Sequence, residues 1–382
     1  MQKRSSCAVT LVALAGALCL PLAAHAFVVN QAFYFGDSLT DSGNAAALTQ
    51  VAPDVSFFPP SAPSGIPGIG IPYDYRFTNG PVAAEYLSGL LGIAPSAPAW
   101  PAAPANPNSN FAVGGAMSGP GPTSGVPAPL QGLCCNFNWL VDSPAGLQAG
   151  FPAVQFTGLN NQVDLFASRL GSGDISPFDP ATTMFSIWGG ANDIFLALAL
   201  SAGLSPADQA AVLQAYTINA ALNIGLRIGE LAALNGENFL VMNMPDLGLT
   251  PFAMDGGIAP LATSLAILFN ATLDATLGPL RAGGLNIIEF DTFAALTNLV
   301  AGGPFANTTQ PCFDGTAASI PTILGGCQGH LFFDGVHPTT ATHQILAAQI
   351  YRTIPEPDML QLVAAALLAL LWLRRRERAR VL

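Results

Sequence analysis

Lysine is almost missing from this chain, with one residue in 382, at position 3, and only 9% of all residues carry charge. A charged disordered tail or a coiled coil would need far more charge, and 51% hydrophobic residues instead describe a core-forming protein. Twelve basic residues against 23 acidic ones give a formal net charge of -11, which offers no basic patch for DNA or RNA. Histidine is scarce at four residues and cysteine at six, so imidazole and thiol chemistry have few candidates. Glycine and proline are abundant, at 39 and 32.

The positive charge is concentrated at the two ends. Lys3 and Arg4 precede an apolar run over 9–20, and Ala24-His25-Ala26 is a small-x-small cleavage pattern, so a signal peptide over 1–26 is predicted, with Phe27 as the mature start. The run is shorter than the roughly 20 apolar residues of a membrane span. At the other end, Pro355-Glu356-Pro357 precedes a 15-residue apolar segment over 359–373 and then Arg374, Arg375, Arg376, Arg378 and Arg380, which would stay on the cytoplasmic side. In that order of parts, 354–382 resembles the PEP-CTERM sorting tail of Gram-negative bacteria; an ordinary C-terminal anchor is the alternative. The resemblance implies export by a Gram-negative bacterium to the periplasm, cell surface or medium. It also implies handling by signal peptidase and an exosortase-type machinery, with transient membrane association through the tail.

Residues 27–353 hold five arginines, no lysine and 20 acidic residues, a net of -15. Their length suits one domain with insertions. The Pro/Gly-rich stretches 53–72 and 94–107 lack a helical or strand period and read as long surface loops. Short apolar runs at 32–35, 110–113, 183–188, 239–243 and 286–290 alternate with helical patterns, which predicts an α/β fold with a five-stranded parallel sheet covered by helices. Predicted helices span 81–91, with Val82, Tyr86, Leu87, Leu90 and Leu91 on one face; 206–234, with Ser205 as N-cap; 263–280; and 340–354, packing Ile345, Leu346, Ile350 and Ile354 inward.

Chemistry concentrates after the strands. Gly36-Asp37-Ser38-Leu39-Thr40-Asp41 follows the first run and sets Ser38 at the carboxyl edge of the sheet, where open α/β folds bind ligands. Alone, such a serine reads first as a helix N-cap, so the functional reading rests on its partners. A serine nucleophile needs a base, and of the three histidines at 330, 337 and 343 only His337 follows a carboxylate at short loop spacing, Asp334 three residues before it. That carboxylate would hold the imidazole in its productive tautomer. A metal site built from Asp334 with His330, His337 and His343 is the rival reading. Oxyanion donors are offered by Gly114-Gly115 after the second run and by Asn192 in Gly189-Gly190-Ala191-Asn192-Asp193 after the third.

Taken together and in order, these blocks resemble the GDSL, or SGNH, family of serine hydrolases from Phe33 to about His343. The resemblance implies a three-layer α/β/α, flavodoxin-like fold. It assigns Ser38 as nucleophile, Asp334 and His337 as acid and base, and the Ser38 N–H, Gly115 and Asn192 as oxyanion donors, with no metal or organic cofactor. Phe77-Thr78-Asn79-Gly80-Pro81, Met244-Pro245-Asp246-Leu247-Gly248 and Phe269-Asn270 with Leu273 agree with it, whereas Phe333 stands where many relatives carry Trp. The implied activity is esterase or lipase chemistry on a small-molecule or lipid ester through an acyl-serine. Acyl transfer or thioester cleavage would use the same residues, and a non-catalytic surface or matrix binding role is the alternative from another class. The chain contains no G-x-S-x-G, which argues against the α/β-hydrolase elbow.

Beyond the signal peptide lie Cys134, Cys135, Cys312 and Cys327, an even number that suggests disulfides in an exported protein, with three connectivities open. Adjacent Cys134 and Cys135 would form a strained bond. A Cys312 to Cys327 bond would close a short loop just before Asp334, contribute about 3 kcal/mol and hold the loop in place. The apolar segments Val55-Ser56-Phe57-Phe58 and Phe137-Asn138-Trp139-Leu140 are candidates for an acyl site or for a cover over the core.

Overall fold

A computed structural model describes residues 27–49, 76–100, 109–131 and 156–355. The predicted signal peptide, the sorting tail from 356 onward, the loop 53–72, Cys134 and Cys135 lie outside these residues, as do both apolar segments named last above. Four strands, β1 (Gln31–Gly36), β2 (Thr183–Trp188), β3 (Asn238–Met242) and β4 (Asn286–Phe290), form one sheet in the order β1-β2-β3-β4, with every pair parallel. Their sequences are almost unbroken apolar runs because both faces are covered, as parallel sheets require.

Alternation along the strands sorts side chains to two cores. Phe33, Phe35, Phe185, Ile187, Phe239 and Val241 enter one, against α3 (Leu159–Ser172), α5 (Pro206–Ala233) and α7 (Ala259–Ala282). Tyr34, Met184, Leu240, Met242 and Ile288 enter the other, against α2 (Ala83–Leu91), α8 (Thr292–Gly302) and α10 (Thr340–Thr353). Helices α1 (Asn44–Thr49), α4 (Ala191–Ser201), α6 (Pro251–Asp255) and α9 (Ile320–Leu324) complete the set among the described residues. Of these helices the sequence reading anticipates α2, α5, α7 and α10. Ser205 caps α5 as expected, accepting from Asp208 N, and Leu346, Ile350 and Ile354 are buried on α10. Leu90 departs from its predicted inward face and is 46% exposed.

The sheet has four strands, not the five expected. Segment 109–113 runs beside the outer edge of β1 and begins a parallel ladder: Tyr34 N donates to Ser109 O at 2.9 Å and Phe111 N to Tyr34 O at 2.8 Å. The next rung is only half formed: Val113 N donates to Gly36 O at 3.2 Å, but Gly36 N turns to a side chain instead of Phe111 O. Phe111 O accepts from Trp100 Nε1 at 3.0 Å, and Asn44 Nδ2 donates to Asn110 O at 2.9 Å and Ala112 O at 2.7 Å. The segment nevertheless lies where a fifth strand would, so the chain order reverses between β1 and β2, the place where open α/β sheets bind ligands.

Cys312 and Cys327 form the expected disulfide, with Cα atoms 5.5 Å apart. With Phe313 and Phe333 they make a separate small core. Cys312 N donates to Phe332 O at 3.0 Å and Phe313 N to Phe333 O at 2.7 Å, so the bridge lies directly behind Asp334.

Phe166 of α3 is fully buried and meets the rings of Phe33, Phe35, Phe111 and Phe185 at centroid distances of 4.8 to 5.8 Å. Because these rings hold β1 to its helix layer, Phe166→Ala is expected to destabilise the protein by about 3–5 kcal/mol, read as a lower midpoint in urea unfolding.

Candidate active site

β1 ends at Gly36, where close packing leaves no room for a side chain: a Cβ would lie 2.3 Å from Trp188 O. The chain then makes a tight turn, with Thr40 N and Asp41 N both donating to Asp37 O, and this turn carries Ser38. Asp41 secures it. Its Oδ1 accepts from Gly43 N and Asn44 N at 2.8 and 2.6 Å, and its Oδ2 from Ala45 N and Gly114 N at 3.0 and 2.8 Å. One buried carboxylate thus fastens the Ser38 turn to the glycine pair at 114–115.

Ser38 Oγ lies 2.8 Å from His337 Nε2, and His337 Nδ1 lies 2.7 Å from Asp334 Oδ2. Asp334 is fully buried, and its Oδ1 accepts from Val336 N and His337 N at 2.9 and 2.7 Å. With the carboxylate at Nδ1, the ring proton belongs there and Nε2 is left to accept from the Ser38 hydroxyl. The other two imidazoles go elsewhere. His330 Nδ1 lies 3.3 Å from Gln310 O, and His343 Nδ1 accepts from Ala83 N at the start of α2. Burial, with a smaller contribution from the His337 charge, pushes His343 down to about 3.

The residues expected as oxyanion donors line the same cavity as Ser38 and His337. Gly115 has φ +78°, a left-handed conformation natural to glycine. Asn192, at the start of α4, gives one Nδ2 hydrogen to Ala116 O at 3.0 Å. Its neighbour Asp193 accepts from Ser118 N at 2.9 Å and Ser118 Oγ at 2.7 Å, while Asn223 Nδ2 donates to Ser118 Oγ at 3.0 Å. Burial lifts Asp193 to about 7 against the opposing effect of those bonds, and lifts Asp37 and Asp41 each to about 6.

The motif Phe77-Thr78-Asn79-Gly80-Pro81 holds the histidine loop in place. Thr78 Oγ1 donates to Pro338 O at 2.8 Å, Thr340 N to Asn79 Oδ1 at 2.9 Å and Thr340 Oγ1 to Pro81 O at 2.8 Å, while the Phe77 ring lies 5.4 Å from the His337 ring.

The cavity has a volume of about 390 Å³. Away from the polar end its wall is apolar, with Phe195 and Leu198 of α4, Leu247, Phe252 of α6, Leu296 of α8 and Leu346 of α10. Phe252 meets Phe195 edge-on at 5.8 Å and is 47% exposed. Sequence reading missed these wall residues because they sit on helices that look like ordinary core helices. Asp41 closes the motif block itself, and its place three residues before Asn44 is an Asx-turn and N-cap signal.

Asp193 holds its proton more tightly in the folded state, at about 7, than at its ordinary value of 3.8. Folding therefore takes up a proton between those values, and this group's contribution to stability falls as pH rises from about 4 to about 7. Asp193→Asn lacks that titration, so its melting temperature relative to the native protein is expected to rise across the same window in thermal unfolding scans. A difference independent of pH would show that Asp193 titrates alike in both states.

Comparison with known proteins places the chain in a family. Residues 33–350 match the family described as GDSL-like Lipase/Acylhydrolase. Esterase EstA of Pseudomonas aeruginosa is 28% identical over 364 residues, covering 86% of this chain and 47% of that protein. Thermolabile hemolysin of Vibrio parahaemolyticus is 26% identical over 233 residues, covering 56% of this chain and 50% of the hemolysin. A GDSL esterase/lipase of Arabidopsis thaliana is 25% identical over 346 residues, covering 83% and 86%. The chain thus spans about half the length of the two bacterial relatives. With the family match running from β1 to α10 across the whole of this site, the chain belongs to the GDSL-like lipase/acylhydrolase family.

Proposed function

We propose that the protein hydrolyses neutral carboxylic esters carrying an apolar acyl chain, through an acyl-serine intermediate. The observation that carries this reading is the hydrogen-bonded chain Ser38, His337, Asp334 opening on an otherwise apolar cavity. His337 Nε2 takes the Ser38 proton as Oγ attacks the ester carbonyl, and Asp334 stabilises the imidazolium that forms. The tetrahedral oxyanion meets the Ser38 N–H, the Gly115 N–H and the Asn192 amide. His337 then returns its proton to the departing alcohol, and water activated by the same imidazole releases the acid.

The lining supports a neutral substrate. Among the described lining residues there is neither Lys nor Arg to hold a phosphate or carboxylate, while Asp37 brings a carboxyl group instead. Size supports a medium chain, since a cavity of about 390 Å³ lies at the small end of ligand sites and is shared between acyl chain and alcohol. Export belongs to the same reading. The Cys312–Cys327 bond supports it, since disulfides persist in oxidising compartments. The address segments read from the sequence would then deliver the chain to signal peptidase and to exosortase-type machinery.

Two measurements test the activity. Ser38→Ala is expected to abolish hydrolysis of p-nitrophenyl esters with the fold intact by circular dichroism, and Asn192→Ala to lower kcat on the order of 10² to 10³-fold. Undiminished turnover by Ser38→Ala would overturn the mechanism. Across an ester series from acetyl to palmitoyl, kcat/KM is expected to peak at medium length. A maximum at acetyl followed by a steady fall would refute the apolar acyl site and leave the mechanism standing.

A further inference from the structure

The outer edge of β1 poses a backbone problem at the residue that precedes the Ser38 turn. In a regular parallel ladder continuing from Tyr34, Gly36 N would donate to Phe111 O. That carbonyl accepts from the Trp100 indole instead, so while Gly36 O keeps its ladder bond from Val113 N at 3.2 Å, Gly36 N needs another acceptor inside a buried edge. It finds one in Gln162 of α3, which is fully buried. Gly36 N donates to Gln162 Oε1 at 2.9 Å, and Gln162 Nε2 donates to Gly36 O at 2.8 Å and to Thr157 O at 2.9 Å. A carboxamide has the same donor and acceptor as a peptide group, and here it pairs with both backbone groups of one residue as a neighbouring strand would.

The same helix touches the other half of the site. Leu159 N, in the first turn of α3, donates to Met117 O, and Met117 follows the Gly114-Gly115-Ala116 loop directly. Helix α3 therefore spans from the end of β1, two residues before Ser38, to the loop that carries Gly115. Gln162 is the residue through which that helix grips β1.

We propose that Gln162 is a positioning residue for the reaction: its carboxamide supplies the missing half of a strand rung and sets Ser38 relative to His337 and the Gly115 loop. This rests on the acyl-serine reading above. Its action is indirect, since Gln162 bonds to backbone and is not among the residues lining the cavity. A shift of about 1 Å in reacting groups can lower turnover about a hundredfold, so the loss of this grip is read in kcat.

Gln162→Leu removes all three bonds, and Gln162→Glu keeps the shape and the acceptor but loses the amide donors. Both are to be compared with the native protein and with Ser38→Ala on one p-nitrophenyl ester, alongside the rate of Ser38 labelling by a fluorophosphonate. Concentrations are normalised to folded protein by circular dichroism. The expected result is a fall in kcat of about ten- to a hundredfold at unchanged KM, with labelling slowed in parallel, the pattern of a misplaced reacting group rather than of lost substrate binding. A kcat per folded molecule equal to the native value would overturn the proposal. So would a loss of activity accounted for wholly by loss of folded protein, including failure of both variants to fold. Activity remaining in Ser38→Ala would instead overturn the acyl-serine reading itself, which keeps the two failures distinguishable.

Discussion

The 2.8 Å contact between Ser38 Oγ and His337 Nε2 joins positions 299 residues apart, and most of the described structure serves to bring those two atoms together. Ser38 is placed by the sheet, at the end of a strand buried on both faces. His337 is placed by a loop leading into α10, which lies on one side of the sheet only. What holds loop and sheet in register is the joint between α2 and α10, where Thr78, Asn79, Thr340 and His343 exchange hydrogen bonds with the backbone across about 260 positions of sequence. Each such bond contributes only about 0.5–1.5 kcal/mol net. Their value lies in direction, because a backbone held at several points cannot rotate the imidazole away from the serine.

The protein has few charges and places polar groups with corresponding economy. Asp41, Asn44, Asn110, Gln162 and Asp193 are all fully buried, and their hydrogen bonds go mainly to backbone rather than to one another. Buried polar groups must be paired, and these are paired by completing irregular chain that no ladder satisfies. The result is a set of loops at the sheet edge with the hydrogen bonding of regular structure but without its geometry. That combination lets the chain leave the strand direction sharply at Ser38 and at Gly115 and still remain rigid. Desolvation is what this arrangement pays, visible in the raised proton affinities of Asp37, Asp41 and Asp193.

Legibility in the sequence followed the physical cause of each feature. Strands covered on both faces leave continuous apolar runs, so β1 to β4 could be read directly. The run at 110–113 looks the same and keeps ladder bonds to Tyr34 and Gly36; the Trp100 indole on Phe111 O, with Gly36 N turned to Gln162, is what interrupts it. The meeting of Ser38, Asp334 and His337 could be read because a serine nucleophile with a histidine base would call for rare residue types at fixed spacing, and histidine is scarce here. Gln162 could not, since a glutamine near the start of an amphipathic helix reads as solvent-facing unless the unpaired edge it meets is known. Phe195 and Leu198 were hidden for the opposite reason: in an apolar helix nothing in the sequence separates a cavity wall from a core face.

The Asp334 to His337 turn is held from both sides, and the two sides do different work. Behind it, Phe333 packs on the Cys312–Cys327 bridge and accepts from Phe313 N, so the covalent link limits how far the turn can retreat from the sheet. In front, Gly335 O accepts from Phe252 N at 2.8 Å, and Phe252 is at once part of the cavity wall and half exposed. The Asp334–His337 loop and the apolar wall are therefore joined by this hydrogen bond. A disulfide-backed turn is a stiff support on one side, and a single bond to a short, partly exposed helix is a softer one on the other. On the proposed acyl-serine reading, α6 is the part of the wall that yields first to a bulky acyl chain, ahead of the disulfide-backed turn that carries His337.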